Sequence, residues 1–323
     1  MFRIACASLF SALYVLLAAP AAAADRFPVK PIRLIVPFPP GGGVDINGRI
    51  LAEPLGRALG QTVVVDNRPG ASSIIGTGIA SKAAPDGYTV LISAITMAIN
   101  VAVYKTLPFD IQRDFAPVAL VSNQPNILVA HPSLPAKTFK EFVVLARSQP
   151  GKLTFGSVGP ATGIRLATEL LLLQIKADMV HVPYRGVGPG LTALLGNEIS
   201  IFVSTFASAL PHVKANRLRA YAVTTAKRAD PLPDVPTLAE SGVPGYEYAT
   251  WYGMLVPAGT PQRIIDKLNK ATLASLNSPE VKRIFVAQGL NATPSTPAEF
   301  SKYLDSEINK WVRVVRDANI QQQ

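Results

Sequence analysis

The sequence predicts an α/β protein with mainly parallel sheets flanked by helices. Short apolar runs rich in valine and isoleucine alternate with helical patterns along almost the whole chain of 323 residues. Many of these runs are nearly continuous in apolar residues, which is typical of strands buried on both faces. Ten such runs are many for one open sheet, so we expect two sheets.

The N-terminus is typical of a secretory signal peptide spanning residues 1–24. Arg3 is followed by an apolar stretch from Leu9 to Ala19 and by small residues that end at Ala24. We expect cleavage near Ala24 and export of the mature chain to the periplasm. An uncleaved anchor is the alternative, although the stretch is shorter than the roughly 20 apolar residues that span a membrane.

Composition excludes several classes of site. Cys6 is the only cysteine and lies in the signal peptide, so the mature chain has no cysteine for thiolate chemistry or metal binding. The net charge is +10, but no run of five basic residues occurs, which argues against nucleic acid as a partner. The positive charge either helps to gather anions or only keeps the protein soluble.

The predicted strands can be placed along the chain from their apolar runs. In chain order the candidates are Arg33–Pro37, Thr62–Val65, Thr89–Ser93, Val118–Val121, Ile127–Ala130, Leu153–Gly156, Val180–Pro183, Ile199–Ser204, Arg219–Thr224 and Gly253–Val256. The segments around 118–132 and 219–236 each join a strand to a proline-rich connection. We interpret them as two crossings between domains.

Several helices between these strands have recognisable starts. Capping boxes begin at Thr138 and Thr296, and N-cap residues followed by proline occur at Thr260 and Ser278. The last helix carries one apolar stripe that should face the core, formed by Phe300, Leu304, Ile308, Trp311 and Val315. Trp251 either walls a pocket or packs in the core, and we favour the core.

The segment Ile32–Asp45, IRLIVPFPPGGGVD, predicts an anion site. A buried strand runs into a glycine loop at the start of a helix, where backbone N–H groups lack partners and the helix dipole is positive. Glycine lets a ligand approach the backbone closely. Asp45 either contacts a ligand amine or caps a helix that begins at Ile46.

Motifs for nucleotides, metals and nucleophilic catalysis are incomplete. Ile46 occupies the third glycine position of the dinucleotide fingerprint, and no glycine loop is followed by the Gly-Lys-Ser/Thr of a P-loop. The run from Gly156 to Gly159 is one residue short of a nucleophile elbow. The three histidines are too far apart for a local metal motif. We expect no cofactor, no metal and no enzymatic activity; a secreted hydrolase using Ser157 and a histidine is the rival hypothesis.

Turns rich in glycine and hydroxyl groups follow several predicted strands. In open α/β sheets ligands bind outside the carboxyl ends of the strands, so these turns predict a binding cleft. Backbone amides and small hydroxyls can hold a carboxylate without a charged side chain. Arg185 either pairs with a ligand carboxylate or fixes its own loop, and Thr162 either donates to a ligand or caps the following helix.

Six motifs together resemble one family. They are Ile32–Asp45, Asn67–Ala71, Pro85–Thr89, His181–Gly186, Asp234–Thr237 and Pro257–Pro261, in this order. The ordered set resembles the tripartite tricarboxylate transporter substrate-binding family, the Bug receptors of the bacterial periplasm. The resemblance implies a monomeric two-domain periplasmic binding protein of type II, a Venus flytrap. Residues 25–124 and 228–323 would form domain 1, and residues 125–227 domain 2.

The resemblance also implies a ligand and a set of contacts. The ligand would be a small carboxylate, such as a dicarboxylate, an aromatic acid or an amino acid, delivered to a membrane permease or reported to a sensor. By position, the implied ligand-binding residues are Phe38, Gly41, Gly42, Asp45, Ala71, Ser72, Ser93, Thr96, Ser157, Thr162, Tyr184 and Ser204. The family usually has glycines where Ser72 and Ser73 stand, so two hydroxyls here would add hydrogen bonds or narrow the pocket.

Overall fold

A computed structural model describes residues 27–159 and 162–317 of the chain. The predicted signal peptide and its cleavage site near Ala24 lie outside these residues. Within the described ranges, no helix combines the length and the apolar character needed to span a membrane.

The first sheet is built from parallel strand–helix–strand units. Strand β1 lies between β2 and β3, and α1 and α2 make the connections. β3 then pairs antiparallel with β9, which comes from the C-terminal part of the chain. The bounds are β1 (Ile32–Val36), α1 (Gly43–Leu59), β2 (Val63–Asn67), α2 (Ile74–Ser81), β3 (Thr89–Ala94) and β9 (Ala249–Pro257).

The second sheet repeats this parallel arrangement. Strand β5 lies between β6 and β7, and helices α6, α7 and α8 follow β5, β6 and β7 in turn. The bounds are β5 (Thr154–Ser157), α6 (Gly163–Gln174), β6 (Val180–Pro183), α7 (Val187–Leu195), β7 (Ile201–Thr205), α8 (Phe206–Lys214) and β8 (Arg219–Val223).

One long strand, β4 (Phe115–Ala130), belongs to both sheets. Its first part pairs with β9 and with β10 (Asn291–Ala292), and its last residues pair with β7 and β8. The prediction of two separate strands at 118–121 and 127–130 is therefore wrong. The run between them is polar, yet the side chains of Ser122, Gln124 and Asn126 are buried and hydrogen-bond to α1 and β9.

The two expected sheets are thus joined through β4, and the pairing is mixed. Every antiparallel pair involves β4 or β9, whereas the strand–helix–strand units are parallel. The chain returns from the second sheet to the first between β8 and β9. There the backbone of Thr224 bonds both to Asn126 on β4 and to Tyr248 just before β9.

Most predicted helix starts are confirmed. Thr296 and Glu299 form a reciprocal capping box, and the side chains of Thr138 and Ser278 accept hydrogen bonds from the helices they begin. Thr260 is an exception, since its hydroxyl donates to the Pro257 carbonyl and the helix begins only at Gln262. The remaining helices are α3 (Thr96–Val103), α4 (Ile111–Asp114), α5 (Phe139–Ser148), α9 (Gln262–Asn277), α10 (Pro279–Gln288) and α11 (Pro297–Asp317).

The last helix closes the core beneath β4 and β9. The whole predicted stripe of α11 is buried, and Glu307 on the same face accepts a hydrogen bond from the Trp251 indole at 3.0 Å. Trp251 is therefore a core residue, as expected. The ring of Phe300 packs so closely on Gly253 that a Cβ atom there would overlap the ring.

We predict that Gly253→Ala destabilises the fold by about 1–3 kcal/mol, because Phe300 must move out of its place against β9. Chemical denaturation measures the change. Gly78→Ala is the matched control, since a Cβ atom at this position of α2 makes only ordinary contacts, the nearest at 3.7 Å. That variant should gain up to about 1 kcal/mol from helix propensity. Equal effects of the two substitutions would contradict this account of the packing.

Candidate functional site

A cleft lies between the two sheets and is partly open to solvent. Both sheets supply its walls, and β9 with the residue just before it contributes Tyr248, Thr250 and Tyr252. None of the described residues that line it is charged. The other lining residues are Phe38, Pro39, Gly42, Gly43, Val44, Ala94, Ile95 and Thr96 on one side and Val158, Thr162, Ile164, Val187 and Thr205 on the other.

Five helices begin at this cleft: α1, α3, α6, α7 and α8. Four of them have an N-cap whose side chain makes no capping hydrogen bond: Gly42, Ile95, Gly186 and Thr205. Only Thr162 caps its own helix, by accepting from the Arg165 N–H at 3.4 Å. Because the first N–H groups of a helix have no partner within it, these helix starts present donors and positive dipole ends to the cleft. The cleft is therefore built for an anion.

Asp45 positions the glycine loop. α1 begins at Gly43, so Asp45 lies in its first turn and is not the cap of a helix starting at Ile46. Its buried carboxylate accepts hydrogen bonds from the Gly41 N–H and from the side chains of Arg49 and Asn67, each at 2.9 Å. Burial alone would raise the pKa of Asp45, but these hydrogen bonds and the Arg49 charge lower it overall.

The two sides of the cleft touch each other at its rim. Ser208 on α8 donates a hydrogen bond to the Gly41 carbonyl at 2.8 Å. A Cβ atom at Gly186 would lie 2.7 Å from the Pro39 side chain, so only glycine permits this approach. Gly159 similarly faces Ser72, with 2.6 Å between a Cβ atom built there and the serine hydroxyl. The two sides of the cleft are thus in direct contact at three places on its rim.

The loop before α2 has an unusual backbone. Ala71, Ser72 and Ser73 all have positive φ angles, of 46°, 50° and 77°, a region that costs non-glycine residues energy. Asn100 stabilises the turn by donating to the Ser72 carbonyl at 2.9 Å and to the Ser73 hydroxyl at 3.3 Å. The Ser72 hydroxyl is buried without a hydrogen-bond partner among the described residues.

The structure brings together only some of the predicted site residues. Phe38, Gly42, Thr96 and Thr162 line the cleft, and Gly41 and Ser72 lie at the contacts between its two sides. Ser93, Ser157 and Ser204 are fully buried, and neither they nor Asp45, Ala71 and Tyr184 line the cavity. Their roles in ligand binding stay predictions, and residues 160 and 161 of the predicted loop 157–162 lie outside the described ranges.

Sequence reasoning missed the floor of the cleft. Tyr248, Thr250 and Tyr252 alternate along β9 and its entry, with their side chains on the face opposite Trp251 and Gly253. This period of two was readable from the sequence, but the neighbouring Trp251 drew the interpretation toward the core. Ile164 and Val187 were also missed, since nothing in their local sequence distinguishes a wall residue from a helix residue.

Ser157 and His181 form a hydrogen bond, with 2.6 Å between Oγ and Nε2. Burial, with a smaller contribution from the Arg165 charge, lowers the pKa of His181 to about 4, so the imidazole is neutral at pH 7. Ser157 has no exposed surface, and no acidic side chain in the described part of the chain bonds to His181. The pair joins β5 to β6 below the cleft.

Two further features bear on the chemistry of the site. Arg185 is exposed and makes no hydrogen bond to the described residues of its own loop, so of its two possible roles the fixing of the loop has no support. Within the described ranges, no group of three or more histidine, cysteine, aspartate or glutamate side chains is placed to hold a metal ion.

Comparison with known proteins adds independent information. Residues 48–320 match the family model described as Tripartite tricarboxylate transporter family receptor. The protein BugT of Bordetella pertussis is 36% identical over 303 residues, which cover 93% of each chain. Among solved structures, R. palustris Rpa4515 with adipate has a TM-score of 0.89 at 33% identity, covering 92% of this chain and 100% of that one. MatC of Rhodopseudomonas palustris, with bound malate, has a TM-score of 0.84 at 30% identity, covering 90% and 100%. The expected fold class is confirmed.

We predict that Asp45→Asn costs about 1.5–3 kcal/mol of folding free energy at pH 7, because charge-assisted hydrogen bonds to the loop are lost. The folded-state pKa of Asp45 is lowered, so its stabilising contribution is full above the ordinary value of 3.8 and disappears as pH falls through the lower folded-state value. The difference between variant and wild type should therefore narrow below about pH 4.

Urea denaturation between pH 3 and pH 7 checks this dependence. Asp266→Asn is the control, because this exposed carboxylate accepts a single hydrogen bond from the described residues, that of Gln262, and should change stability by less than about 0.5 kcal/mol. A pH-independent effect of Asp45→Asn would show that its charge does not hold the loop.

Proposed function

Because this chain belongs to the tripartite tricarboxylate transporter receptor family, a family of solute-binding receptors, we propose that it captures a small carboxylate by closing two lobes around it. The observation that carries the proposal is the set of uncapped helix starts around an uncharged cleft. Those N–H donors suit an acceptor-only group such as a carboxylate. Apolar walls around them suit a hydrocarbon body.

In the proposal, the two lobes are divided where the chain crosses from one sheet to the other. Residues 25–124 with 228–323 make one lobe, and residues 125–227 make the other. This division cuts β4 between Gln124 and Asn126, where its pairing passes from β9 to β7 and β8. The return crossing lies near Tyr248, beyond the boundary at 227, because Pro236 still bonds to Val223 at the end of β8 and Tyr246 to Ala167 on α6. Two adjacent crossings are the arrangement a hinge requires.

In this proposal the bound ligand shifts the equilibrium from the open form to the closed form. Moving an equilibrium from 1:99 to 99:1 takes about 5.5 kcal/mol of differential binding. A few charge-assisted hydrogen bonds of about 1.5–3 kcal/mol each are enough. Rim contacts such as Ser208 to Gly41 form only in the closed form, because they join opposite sides of the cleft.

The proposal also assigns the protein a cellular location and a partner that receives its ligand. The signal-like N-terminus and the family support an exported protein in the periplasm, where it passes its ligand to a tripartite tricarboxylate-type permease. Relatives solved with adipate and with malate support an acid as the ligand. A sensing role without transport is the alternative; capture of a permease subunit or a sensor domain by the loaded protein distinguishes the two.

The test is a thermal-shift screen of the mature chain against adipate, malate, citrate, benzoate and glutamate. A ligand at 100 times its Kd stabilises by about 2.7 kcal/mol, which raises Tm by several degrees. The primary amide of the best acid should give no shift, because it lacks the charge that helix starts favour. X-ray scattering should show a smaller radius of gyration with the acid. Failure of every acid in the screen would overturn the proposal.

A secreted serine hydrolase is the second candidate, favoured only by the Ser157–His181 hydrogen bond. Its serine is fully buried and, unlike Tyr252, does not line the cleft, so a bound ester would not meet Oγ. We predict that the mature chain does not hydrolyse p-nitrophenyl acetate faster than the Ser157→Ala variant. A clear loss of turnover in that variant would favour the hydrolase instead.

A further inference from the structure

Tyr252 reaches the cleft at the start of α1. Its ring is fully buried and lies on the floor between the two sides. A Cβ atom at Gly43, the first residue of α1, would overlap the Tyr252 hydroxyl. Because Gly43 has no side chain, the Tyr252 hydroxyl lies directly against the first residue of α1. The neighbouring backbone groups there are N–H donors.

The amide of Gln124 determines how the Tyr252 hydroxyl is used. Its Nε2 atom hydrogen-bonds the phenol oxygen, and its Oε1 atom faces the Ala207 N–H at 3.5 Å. Reversing the amide would place its NH₂ group against that backbone donor, so the orientation follows from Ala207. An amide NH₂ only donates, and the phenol oxygen must therefore accept.

The phenol proton consequently has no acceptor among the described residues. In the ranges 27–159 and 162–317, Gln124 is the only hydrogen-bond partner of the Tyr252 hydroxyl. Burial raises the pKa of Tyr252, so the proton stays on the oxygen at neutral pH. The floor of the cleft thus holds a polarised O–H group beside the N–H groups of α1, all of them donors.

Tyr248 provides a contrast on the same floor. Its hydroxyl lies 3.3 Å from Thr250 Oγ1, and Thr250 donates its single proton to Asn126 Oδ1 at 2.8 Å, so Thr250 Oγ1 can accept from the phenol. This hydroxyl has an acceptor within the protein, whereas the Tyr252 hydroxyl has none among the described residues. The two tyrosines therefore differ in what they offer to a ligand, although both line the cleft.

Resting on the proposed function, we propose that Tyr252 is a specificity-determining residue whose phenol O–H donates a hydrogen bond to the ligand carboxylate at the start of α1. Gln124 acts as a positioning residue, because it orients the phenol through its own bond to α8. Ala207 and Gly43 lie on opposite sides of the cleft, so this orientation is complete only in the closed form. The ligand group bound here must accept without donating, which selects an ionised acid over its amide.

The test compares Tyr252→Phe with wild type by calorimetric titration, using whichever of adipate, malate, citrate, benzoate and glutamate the wild type binds most tightly. Losing a hydrogen bond to a charged group should weaken binding about 10- to 100-fold. Tyr221→Phe is the matched control, since that hydroxyl donates to the Ala136 carbonyl at 2.7 Å away from the cleft. It should reduce stability but leave affinity unchanged.

A second variant tests hydrogen-bond donation by the residue 252 hydroxyl without removing the packing of its ring. Replacing Tyr252 by 3-fluorotyrosine keeps the shape of the ring and makes its O–H a stronger donor, so the acid should bind more tightly. This variant decides the matter if Tyr252→Phe does not fold. Unchanged affinity in either folded variant would overturn the role of Tyr252 while leaving carboxylate binding by the wild type intact. Absence of acid binding by the wild type would overturn the proposed function itself and this inference with it.

Discussion

The architecture depends on polar side chains buried in the middle of one strand. β4 carries Ser122, Gln124 and Asn126 on the same face, and a buried polar group is stable only when it is hydrogen-bonded. Ser122 bonds to Asn47 on α1, Gln124 to Tyr252 on β9, and Asn126 to Thr250 on β9. These bonds fix α1 and β9 against the part of β4 that passes between the two sheets, and Gln124 also accepts from the Ala207 N–H of α8 at 3.5 Å.

The cleft combines an anion site with a nearly complete absence of charge. Five helix starts supply the favourable potential, and fixed backbone dipoles lose no side-chain entropy when a ligand binds. Asp45, a buried carboxylate nearby, does not line the cavity and is paired with Arg49. Its negative charge is compensated by Arg49 and by the hydrogen bond that holds the Gly41 loop, which weakens its electrostatic repulsion of an anionic ligand.

Glycines decide where the two sides meet. Gly43 admits a tyrosine hydroxyl, Gly159 faces Ser72, and Gly186 lies against Pro39. The loop at Ser72 and Ser73 keeps a left-handed backbone although neither residue is a glycine. Asn100 holds it through two hydrogen bonds, which offset part of the cost of that conformation.

The sequence by itself determined the strand–helix alternation, most helix caps, the buried stripe of α11 and the glycine loop at the first helix, because these depend on local periodicity and backbone chemistry. It could not determine that β4 is one strand, since the polar run at 122–126 is stable there only through partners more than 70 residues away. Nor could it assign Asp45 to its loop or Tyr252 to the floor. Which groups meet across the cleft, and which proton lacks an acceptor, follows only from the tertiary structure, because those contacts join segments that are distant in the chain.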